Sequence, residues 1–414
     1  MSTTFRALAV RNYRLYFSGQ LLSNTGTWMQ RVAQDWLVLQ LSGGSGAALG
    51  ITTGLQFLPY LLFSLWGGTL ADRWPRRRIL VITQALMGGL AVALGIITLT
   101  GDVTVPIVFV FAFALGSVSA IDNPSRQSFV GEMVTLPDLP NAVALNSASF
   151  NLGRIAGPAA AGMLIALIGT GWVFVINGFS FGVTIFALLA MRTSELVVRP
   201  VHEGAVRLRQ GLSYIRQRGD LILMLVLVFA VGTLGFNFQL TLALMAQKQF
   251  GLGAAAFGVM STVMAVGSTA GSLLSARRTT VTIRLVAGAA LIFAVLEVIA
   301  GLSPTYVAML LILPFIGLVS LTFANSAQSY LQLRTEPWVR GRVMGVYVLV
   351  FFGGTPVGAP LIGWAADHFG PRSGLIVGGV GTFVVTALAL AVYARRRRAG
   401  SLSTAPIGQF SSAS

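Results

Sequence analysis

Residues 68–78 read Gly-Thr-Leu-Ala-Asp-Arg-Trp-Pro-Arg-Arg-Arg and separate two long apolar stretches of the chain. One acidic and four basic residues stand within these eleven positions. Each charge is costly in hydrocarbon, so a segment this short and this charged does not cross a bilayer. The stretch is therefore predicted to form a tight loop at a membrane surface, between two membrane-spanning helices.

The composition agrees with a protein that crosses a membrane many times. The chain has 414 residues, of which 55% are hydrophobic and only 10% are charged. A soluble protein would carry roughly 25% charged residues. Apolar stretches of about 20 residues recur along the chain, and this is the length that a spanning helix needs. An all-α integral membrane protein, in contact with the lipid bilayer, is predicted.

Twelve spanning helices are predicted, here called spans 1 to 12. They cover residues 13–41, 48–71, 79–100, 105–129, 141–168, 172–191, 221–247, 255–276, 283–301, 306–331, 341–366 and 373–393. Residues 1–191 would form a first bundle of six helices and residues 221–394 a second. The linker 192–220 would carry an amphipathic helix at 206–218, where Arg alternates with Leu, Tyr and Ile. Residues 395–414 are predicted to be a disordered tail.

The two halves show signs of an internal repeat. A shift of about 201 residues places Gly153, Gly157 and Gly162 on Gly354, Gly358 and Gly363. Two six-helix halves related by a repeat are typical of transporters whose binding site lies between the halves.

The net charge of +16 could suggest a nucleic-acid partner, but the distribution of the charge favours another explanation. Of the 28 basic residues, 24 fall in alternate connections, the linker and the two ends of the chain. An excess of Arg and Lys in the cytoplasmic connections orients membrane proteins. Both termini and the linker are therefore predicted to be cytoplasmic, and no nucleic-acid partner is expected.

The composition also argues against several kinds of chemistry. There is no cysteine, and the two histidines, His202 and His368, lie in predicted loops. No metal site and no cofactor are expected, and the chain contains no glycine-rich loop of the G-x-x-x-x-G-K-[ST] type. An enzyme is not predicted. A receptor or scaffold would be expected to carry a large domain outside the membrane, and none is visible.

Residues 68–77 fit the pattern G-x-L-A-D-R-x-(G/P)-R-R. This pattern resembles the loop between helices 2 and 3 of the major facilitator superfamily of secondary transporters, and the resemblance extends over roughly residues 5–395. It implies twelve helices in two pseudo-symmetric six-helix bundles. It also implies a small-molecule substrate that is moved by alternating access.

Short phrases at residues 36–39, 122–124, 235–239 and 340–345 resemble the enterobactin-exporter-like branch of that superfamily. The resemblance implies a monomeric permease of the bacterial cytoplasmic membrane. It would export a small amphipathic molecule, drug-like or siderophore-like, with the proton gradient as energy source. An importer or facilitator of a small metabolite on the same fold is the alternative.

The resemblance also implies a latch that closes the cytoplasmic side. Asp122, near the inner end of span 4, would pair with Arg73 or Arg76, and Asp72 would cap the helix that follows the loop. Gly68 completes the fixed spacing of the motif. The alternative for the arginines at 76–78 is that they only hold the loop inside the cell.

Three charged residues inside the spans are candidates for proton coupling. Arg31 and Asp35 lie four residues apart in span 1, so they share a helix face and could pair. Arg154 in span 5 needs an acidic partner, for which Asp35 is the first candidate and Asp122 the second. A carboxyl group that alternates between a buried state and an arginine-paired state would bind and release a proton. The alternative is a permanent structural ion pair.

Span 5 contains Gly153-x-x-x-Gly157-Pro158-x-x-Ala161-Gly162. This resembles G-x-x-x-G-P-x-x-G-G, a signature of proton-coupled drug exporters, with Ala161 where the family often has glycine. The resemblance implies a bend that seals the inward-open state. Small residues four apart also serve as a helix-packing face, and this alternative is compatible with the first. An arginine typical of such exporters in span 4 is replaced here, since residues 112–116 read Ala-Phe-Ala-Leu-Gly.

In the superfamily, helices 1, 4, 7 and 10 line the cavity. Amide and aromatic side chains on the corresponding spans are candidates for substrate contact, because large amphipathic ligands need apolar surfaces with a few polar anchors. The candidates are Gln30, Gln34, Asn237, Phe238, Gln239, Asn325 and Gln328. The alternative is hydrogen bonding between helices. Glu297 in span 9 is an isolated acid to which the sequence assigns no role.

Overall fold

A computed structural model describes residues 3–197, 208–278 and 280–399, without the side chains of residues 3–4, 64–73 and 208–209. The described residues form helices, short 3-10 or π turns and connections, with no strand among them. The first bundle contains α1 (Arg11–Leu41), α2 (Gly46–Arg73), α3 (Arg76–Thr100), α4 (Val105–Met133), α5 (Leu139–Ile168) and α6 (Thr170–Leu189).

The short helix α7 (Leu208–Gln217) precedes the second bundle. That bundle contains α8 (Gly219–Ala230), α9 (Phe238–Leu244), α10 (Ala254–Ala276), α11 (Ile283–Gly301), α12 (Tyr306–Arg334), α13 (Pro337–Gly353), α14 (Thr355–Phe369) and α15 (Pro371–Arg398). A π-helical turn at Val231–Gly235 joins α8 to α9 within span 7. Helices α13 and α14 meet at Gly354 and together form span 11.

Eleven helical segments of the described chain are long and apolar enough to cross a membrane. The twelfth predicted span, α1, has 31 residues and carries several buried polar side chains, among them Asn24, Gln34 and Asp35. These side chains face the bundle interior, which explains how a less apolar helix occupies the membrane. The predicted all-α fold with two pseudo-symmetric six-helix bundles is confirmed.

Most predicted spans differ from the observed helices by a few residues at either end, and span 9 coincides with α11. The tail does not begin where it was predicted. Arg395 to Arg398 continue α15, so that an apolar spanning helix ends in a basic last turn. Residues 400–414 lie outside the described ranges. The linker helix is present at Leu208–Gln217, and positions 206–207 of the prediction also lie outside those ranges.

The sequence repeat corresponds to equivalent contacts in the two bundles. Gly153 and Gly157 of α5 bring that helix against α1. Gly354 and Gly358, their counterparts under the repeat, bring span 11 against Thr233 in the π turn of span 7. A Cβ atom on Gly358 would lie 1.7 Å from the carbonyl oxygen of Thr233, so only glycine permits this approach. Close helix contact through small residues is the main packing device inside a membrane.

The bundles meet through α2 with α14 and through α5 with α10. A Cβ atom on Gly363 would lie 2.0 Å from the carbonyl oxygen of Gly46. One on Gly162 would lie 3.0 Å from the carbonyl oxygen of Ala254. These contacts lie near the helix ends remote from the linker, here called the far side. The ends near the chain termini and the linker are called the linker side. The two bundles are thus in direct backbone contact on the far side.

Candidate functional site

The charged loop that opened the sequence analysis is a two-residue connection at Trp74 and Pro75, between the last residue of α2 and the first of α3. The side chains of Gly68, Asp72 and Arg73 lie outside the described residues, so their latch roles stay predictions.

The arginines that follow the loop have defined partners. Arg76 forms an ion pair with Glu132 at the end of α4. Arg77 donates hydrogen bonds of 2.6 and 3.1 Å to the carbonyl oxygens of Leu188 and Leu189 at the end of α6. Helix C-termini carry unsatisfied carbonyl groups and a partial negative charge, which a guanidinium group stabilises. Arg76 and Arg77 therefore tie the start of α3 to the ends of two neighbouring helices.

Asp122 does not pair with Arg76, one of its two predicted partners, whereas the side chain of the other, Arg73, lies outside the described residues. Asp122 accepts hydrogen bonds from Thr83 Oγ1 at 2.6 Å, Gln84 Nε2 at 3.0 Å and Arg126 Nε at 2.9 Å. Arg126 stands one helical turn from Asp122 on the same face of α4, which makes it the nearer cation. Glu132 lies at the helix end, beside the loop, and is the acid that pairs with Arg76.

Arg31 and Asp35 form no ion pair, and the predicted pairing is wrong for this conformation. The Arg31 guanidinium group lies 4.9 Å from the ring centre of Trp28 and 5.9 Å from that of Phe57. Aromatic faces attract a guanidinium group in a desolvated site, and they hold Arg31 away from the acid. Asp35 is only 2% exposed, and its Oδ1 atom has no hydrogen-bond partner.

Arg154 pairs with neither Asp35 nor Asp122. It forms no ion pair with a described acid, because Asp122 is occupied by Arg126 and Asp35 lies apart from it. Arg31, Asp35 and Arg154 therefore form no ion pair with any described residue, and of the three only Asp35 is fully buried with an unpartnered polar atom. Buried polar groups without partners are uncommon and indicate a function or a second conformation.

The glycine signature of span 5 is a packing face. Gly153 and Gly157 contact α1 at Asn24 and Trp28. Pro158 and Gly162 contact α10, where a Cβ atom on Gly258 would lie 2.5 Å from the carbonyl oxygen of Pro158. Helix α5 continues through Pro158 without interruption. The signature therefore serves both the interior of the first bundle and the contact between bundles.

A small polar pocket of about 60 Å³ lies within the first bundle. Gln30, Arg31 and Gln34 of α1 line it together with Tyr60 of α2. Gln30 accepts a hydrogen bond from the amide of Asn177 on α6, whereas Gln34 Nε2 has no partner. Gln30 and Gln34 thus line a pocket inside the first bundle, and their contact with substrate stays a prediction.

A larger cavity of about 360 Å³ opens between α10 and α12 in the linker-side half of the second bundle. Asn325 and Gln328 line it, as predicted, and Asn325 Nδ2 donates a hydrogen bond of 3.2 Å to Ser272 Oγ. Its lining residues are largely polar: Ser272, Ser275, Ala276, Arg278, Val281, Asn325, Ser326, Gln328, Ser329, Gln332 and Leu333. A polar concave surface at membrane depth fits a route for a partly polar solute.

Asn237 and Phe238 do not line either cavity, so the cavity prediction is wrong for them. The Asn237 amide donates hydrogen bonds of 2.9 and 3.2 Å to the carbonyl oxygens of Thr233 and Leu234, which the π turn leaves without helical partners. Phe238 packs edge to face on Phe293 in the bundle core. Both side chains stabilise the interruption of span 7. Gln239 is half-buried and is absent from the lining of both cavities.

The sequence analysis missed a contact between the bundles on the far side, in which a carboxylate accepts hydrogen bonds from a helix N-terminus. Asp367 of α14 accepts hydrogen bonds from the backbone N–H groups of Gly46 at 2.6 Å and Ala47 at 2.8 Å, and from Ser45 Oγ at 2.9 Å. Lys248 Nζ lies 3.6 Å from the same carboxylate. An acid side chain of the second bundle therefore caps the first turn of α2 in the first bundle. The sequence gives little indication of this helix cap, because the capping residue lies more than three hundred positions away from the helix that it caps.

Two six-helix membrane bundles, in contact on one side and with a polar cavity on the other, define a transporter of the major facilitator superfamily. The family model described as "transmembrane secretion effector" matches residues 2–410. The chain belongs to this family.

Related proteins of known activity are transporters and exporters. The chain is 22% identical to the staphyloferrin A transporter of Staphylococcus aureus, covering 90% of this chain and 94% of that protein. It is 25% identical to the multidrug efflux pump Tap of Mycobacterium tuberculosis, covering 84% and 86%. It is 21% identical to the enterobactin exporter EntS of Salmonella typhimurium, covering 85% and 84%.

Solved structures show the same fold. A bacterial homolog of the human lysosomal transporter Spinster, inward-facing and unoccupied, has a TM-score of 0.74 at 16% identity and covers 94% of this chain and 97% of its own. A D-xylose–proton symporter has a TM-score of 0.72 at 13% identity, covering 92% and 96%.

Proposed function

We propose that the protein is a proton-coupled exporter of small amphipathic molecules that works by alternating access. The observation that carries the proposal is the asymmetry between the two sides. The bundles are joined on the far side through Asp367 and the start of α2, and a polar cavity opens on the linker side. A solute would enter from the linker side and leave after the far-side contact breaks.

The orientation follows from charge. The arginines that precede α1, follow α2 and end α15 all lie on the linker side, which supports a cytoplasmic location of that side in a bacterial cell membrane. The far side would then be extracellular or periplasmic, and the proposed direction of transport is outward. The two bundles, residues 1–191 and 221–394, would rock as units about the linker 192–220.

Export rather than import is supported by two observations. The glycine signature of α5 lies at the contact between bundles, where its packing sets the far-side seal. The related proteins include two named exporters or efflux pumps, of enterobactin and of drugs. A drug-like or siderophore-like substrate is therefore the first to test. The alternative is an importer or facilitator on the same fold.

Asp35 is the proposed coupling site. It is buried, it lacks a counterion, and it lies one helical turn from Arg31. An unpaired carboxylate is costly in such a place, whereas a protonated carboxyl group is tolerated. A conformation that brings Arg31 or Arg154 to Asp35 would stabilise the carboxylate and release the proton. Proton release and the change of access are thereby linked.

The cytoplasmic latch is proposed for Gly68, Asp72 and Arg73 together with the Arg76–Glu132 pair. We propose a monomer without a cofactor, driven by the proton gradient, with no nucleic-acid partner. A substrate screen tests the function. Purified protein in proteoliposomes would be offered radiolabelled drugs and siderophores, with and without an imposed pH gradient. Accumulation that follows the gradient supports the proposal, whereas equilibration that ignores it favours the facilitator.

A further inference from the structure

Glu297 in α11 is an acidic side chain in the interior of the second bundle, and the proposed transport cycle does not use it. It is 1% exposed. Two glycines make room for its carboxyl group. A Cβ atom on Gly378 of α15 would lie 2.9 Å from Oε1, and one on Gly235 of the π turn would lie 3.3 Å from Oε2. The carboxyl group therefore sits directly against the interruption of span 7.

No cation neutralises this carboxyl group among the described residues, and its Oε2 atom has no hydrogen-bond partner. The helices that pack on α11 are α8 with its π turn, α12 and α15. The titratable and charged groups of these helices lie towards the helix ends and away from Glu297. They are Asp220, Tyr306, Tyr330, Arg334, Arg372, Tyr393 and the arginines 395–398. Arg284 of α11 and Lys248, which follows α9, also lie at helix ends. Asp220 is bound to Arg218, Lys248 to Asp367 and Arg372 to the carbonyl oxygen of Ser303.

Three backbone carbonyl oxygens of the π turn are already engaged in hydrogen bonds, whereas the side-chain oxygens Thr233 Oγ1 and Asn237 Oδ1 are buried without partners. The carbonyl oxygens of Thr233 and Leu234 accept hydrogen bonds from the Asn237 amide, and that of Val231 accepts one from the N–H group of Phe236 at 2.9 Å. No group of acids or histidines suited to a metal ion occurs in the described part of the chain. A proton is the simplest species that can neutralise Glu297, because protonation requires no second ligand.

We propose that Glu297 is a second proton-binding site and that its occupancy controls the interruption of span 7. In the far-side-closed conformation the group is a neutral carboxyl, because an unpaired carboxylate in this interior would be strongly unfavourable. When the turn at Val231–Gly235 rearranges, water reaches Oε2. The O–H bond of the carboxyl group then breaks, its proton passes to water as hydronium, and a hydrated carboxylate remains.

The turn is suited to such a rearrangement. π-helical turns are uncommon and concentrate at functional sites. Gly358 and Gly354 of span 11 pack on Thr233 within the turn, so a movement of the turn reaches the helix whose end carries Asp367. A proton on Glu297 would hold the turn in its present form and thereby favour the far-side contact. The inference rests on the proposed transport function and adds a site in the second bundle.

Infrared difference spectroscopy of purified protein across a pH titration tests the proposal without substrate. We expect a protonated-carboxyl band in the wild type and in Asp35→Asn that is absent from Glu297→Gln. If Glu297→Gln loses no such band at any pH, Glu297 is ionised and the proposal is overturned. If Glu297→Gln does not fold, Gly378→Ala can replace it in the infrared experiment. Its added methyl group would lie 2.7 Å from the carbonyl oxygen of Leu234 and 2.9 Å from Oε1, so it should shift the band, and an unshifted band would also overturn the assignment.

Hydrogen exchange of the peptide that covers residues 231–237 tests the link to the turn. After correction for the intrinsic effect of pH, wild-type exchange should rise at least threefold at alkaline pH, and exchange in Glu297→Gln should stay constant. Equal pH dependence in both proteins would contradict the link. Substrate transport by Glu297→Gln separates the two proposals. If Glu297→Gln still transports substrate along the gradient and its infrared spectrum keeps the band of the wild type, the Glu297 site is rejected and the exporter proposal remains intact.

Discussion

The carboxylate of Asp367 in the second bundle lies 2.6 Å from the backbone nitrogen of Gly46, the first residue of α2 in the first bundle. An acidic side chain at a helix N-terminus satisfies free N–H groups and interacts favourably with the helix dipole. Here the acid and the helix belong to the two units that must separate if the far side opens. The interaction therefore stabilises one access state of a transporter, in addition to the fold.

Asp367→Asn should weaken the far-side contact. Loss of a charge at a helix N-terminus costs about 1 kcal/mol, which is roughly a fivefold change in the ratio of two conformations. We expect the population to shift towards the far-side-open state. The chain has no native cysteine, so thiol labelling of a single cysteine introduced at the α2–α14 contact reports the shift.

Asp138→Asn is the matched control for this experiment. Asp138, like Asp367, is an acid with a basic partner, here Arg6, but it lies on the linker side within the first bundle. The Asp138→Asn substitution should leave the rate of thiol labelling on the far side unchanged. An equal labelling rate in Asp367→Asn and the wild type would show that the Asp367 contact does not hold the far side closed.

Gly363→Ala should act on the same contact by steric means. Its Cβ atom would lie 2.0 Å from the carbonyl oxygen of Gly46, too close for any packed structure, so α2 and α14 must move apart. The expected result is increased thiol labelling on the far side. In Gly182→Ala the added methyl group meets no atom within 4 Å, and this variant should behave as the wild type. Unchanged labelling in Gly363→Ala would refute the close approach of the two helices.

Asp122→Ala should destabilise the first bundle. It removes the acid from a buried pair with Arg126 and from hydrogen bonds to Thr83 and Gln84. Removing one partner of a buried ion pair costs about 3–5 kcal/mol. Thermal unfolding in detergent measures the effect. Glu195→Ala breaks the exposed pair with Arg192 and should cost no more than about 1 kcal/mol. Similar melting temperatures for the two variants would argue against a structural role for the buried pair.

Asp35→Asn should abolish uphill transport and preserve exchange of substrate across the membrane. The amide has the shape of the protonated acid, so it keeps the protein folded and blocks proton release. Counterflow in proteoliposomes measures exchange, and accumulation under a pH gradient measures uphill transport. Asp102→Asn, at an exposed site in the connection between α3 and α4, is the control. Normal uphill transport by Asp35→Asn would remove the coupling role from this residue.

The fold was largely predictable because membrane helices obey a strong local rule. A segment of about 20 apolar residues has to satisfy its backbone hydrogen bonds internally, and so it forms a helix wherever it occurs. Charges mark its ends, as in the loop between α2 and α3. The limits of α11 therefore coincide with the prediction. Helix α15 extends further than predicted, because a helix continues beyond the apolar region when nothing breaks it.

The site was less predictable because polar partners are chosen in three dimensions. Asp122 was assigned to the loop, but Arg126 on its own helix is closer, and Glu132 reaches Arg76. Asn237 was assigned to the cavity, but the π turn beside it leaves carbonyl groups that its amide must satisfy. A π turn has no clear pattern in the sequence. Gln30, Gln34, Asn325 and Gln328 line pockets, but Gln30 and Asn325 also form hydrogen bonds between helices, so contact of these four side chains with substrate stays a prediction.

The central claim is that a proton gradient drives export, and transport in inverted membrane vesicles tests it most directly. A pH gradient would be imposed across vesicles that contain the protein. Uptake of a substrate found in the screen would then be measured before and after addition of an uncoupler. The account predicts uptake against the concentration gradient that collapses when the uncoupler is added. Uphill uptake that persists after complete uncoupling would contradict it.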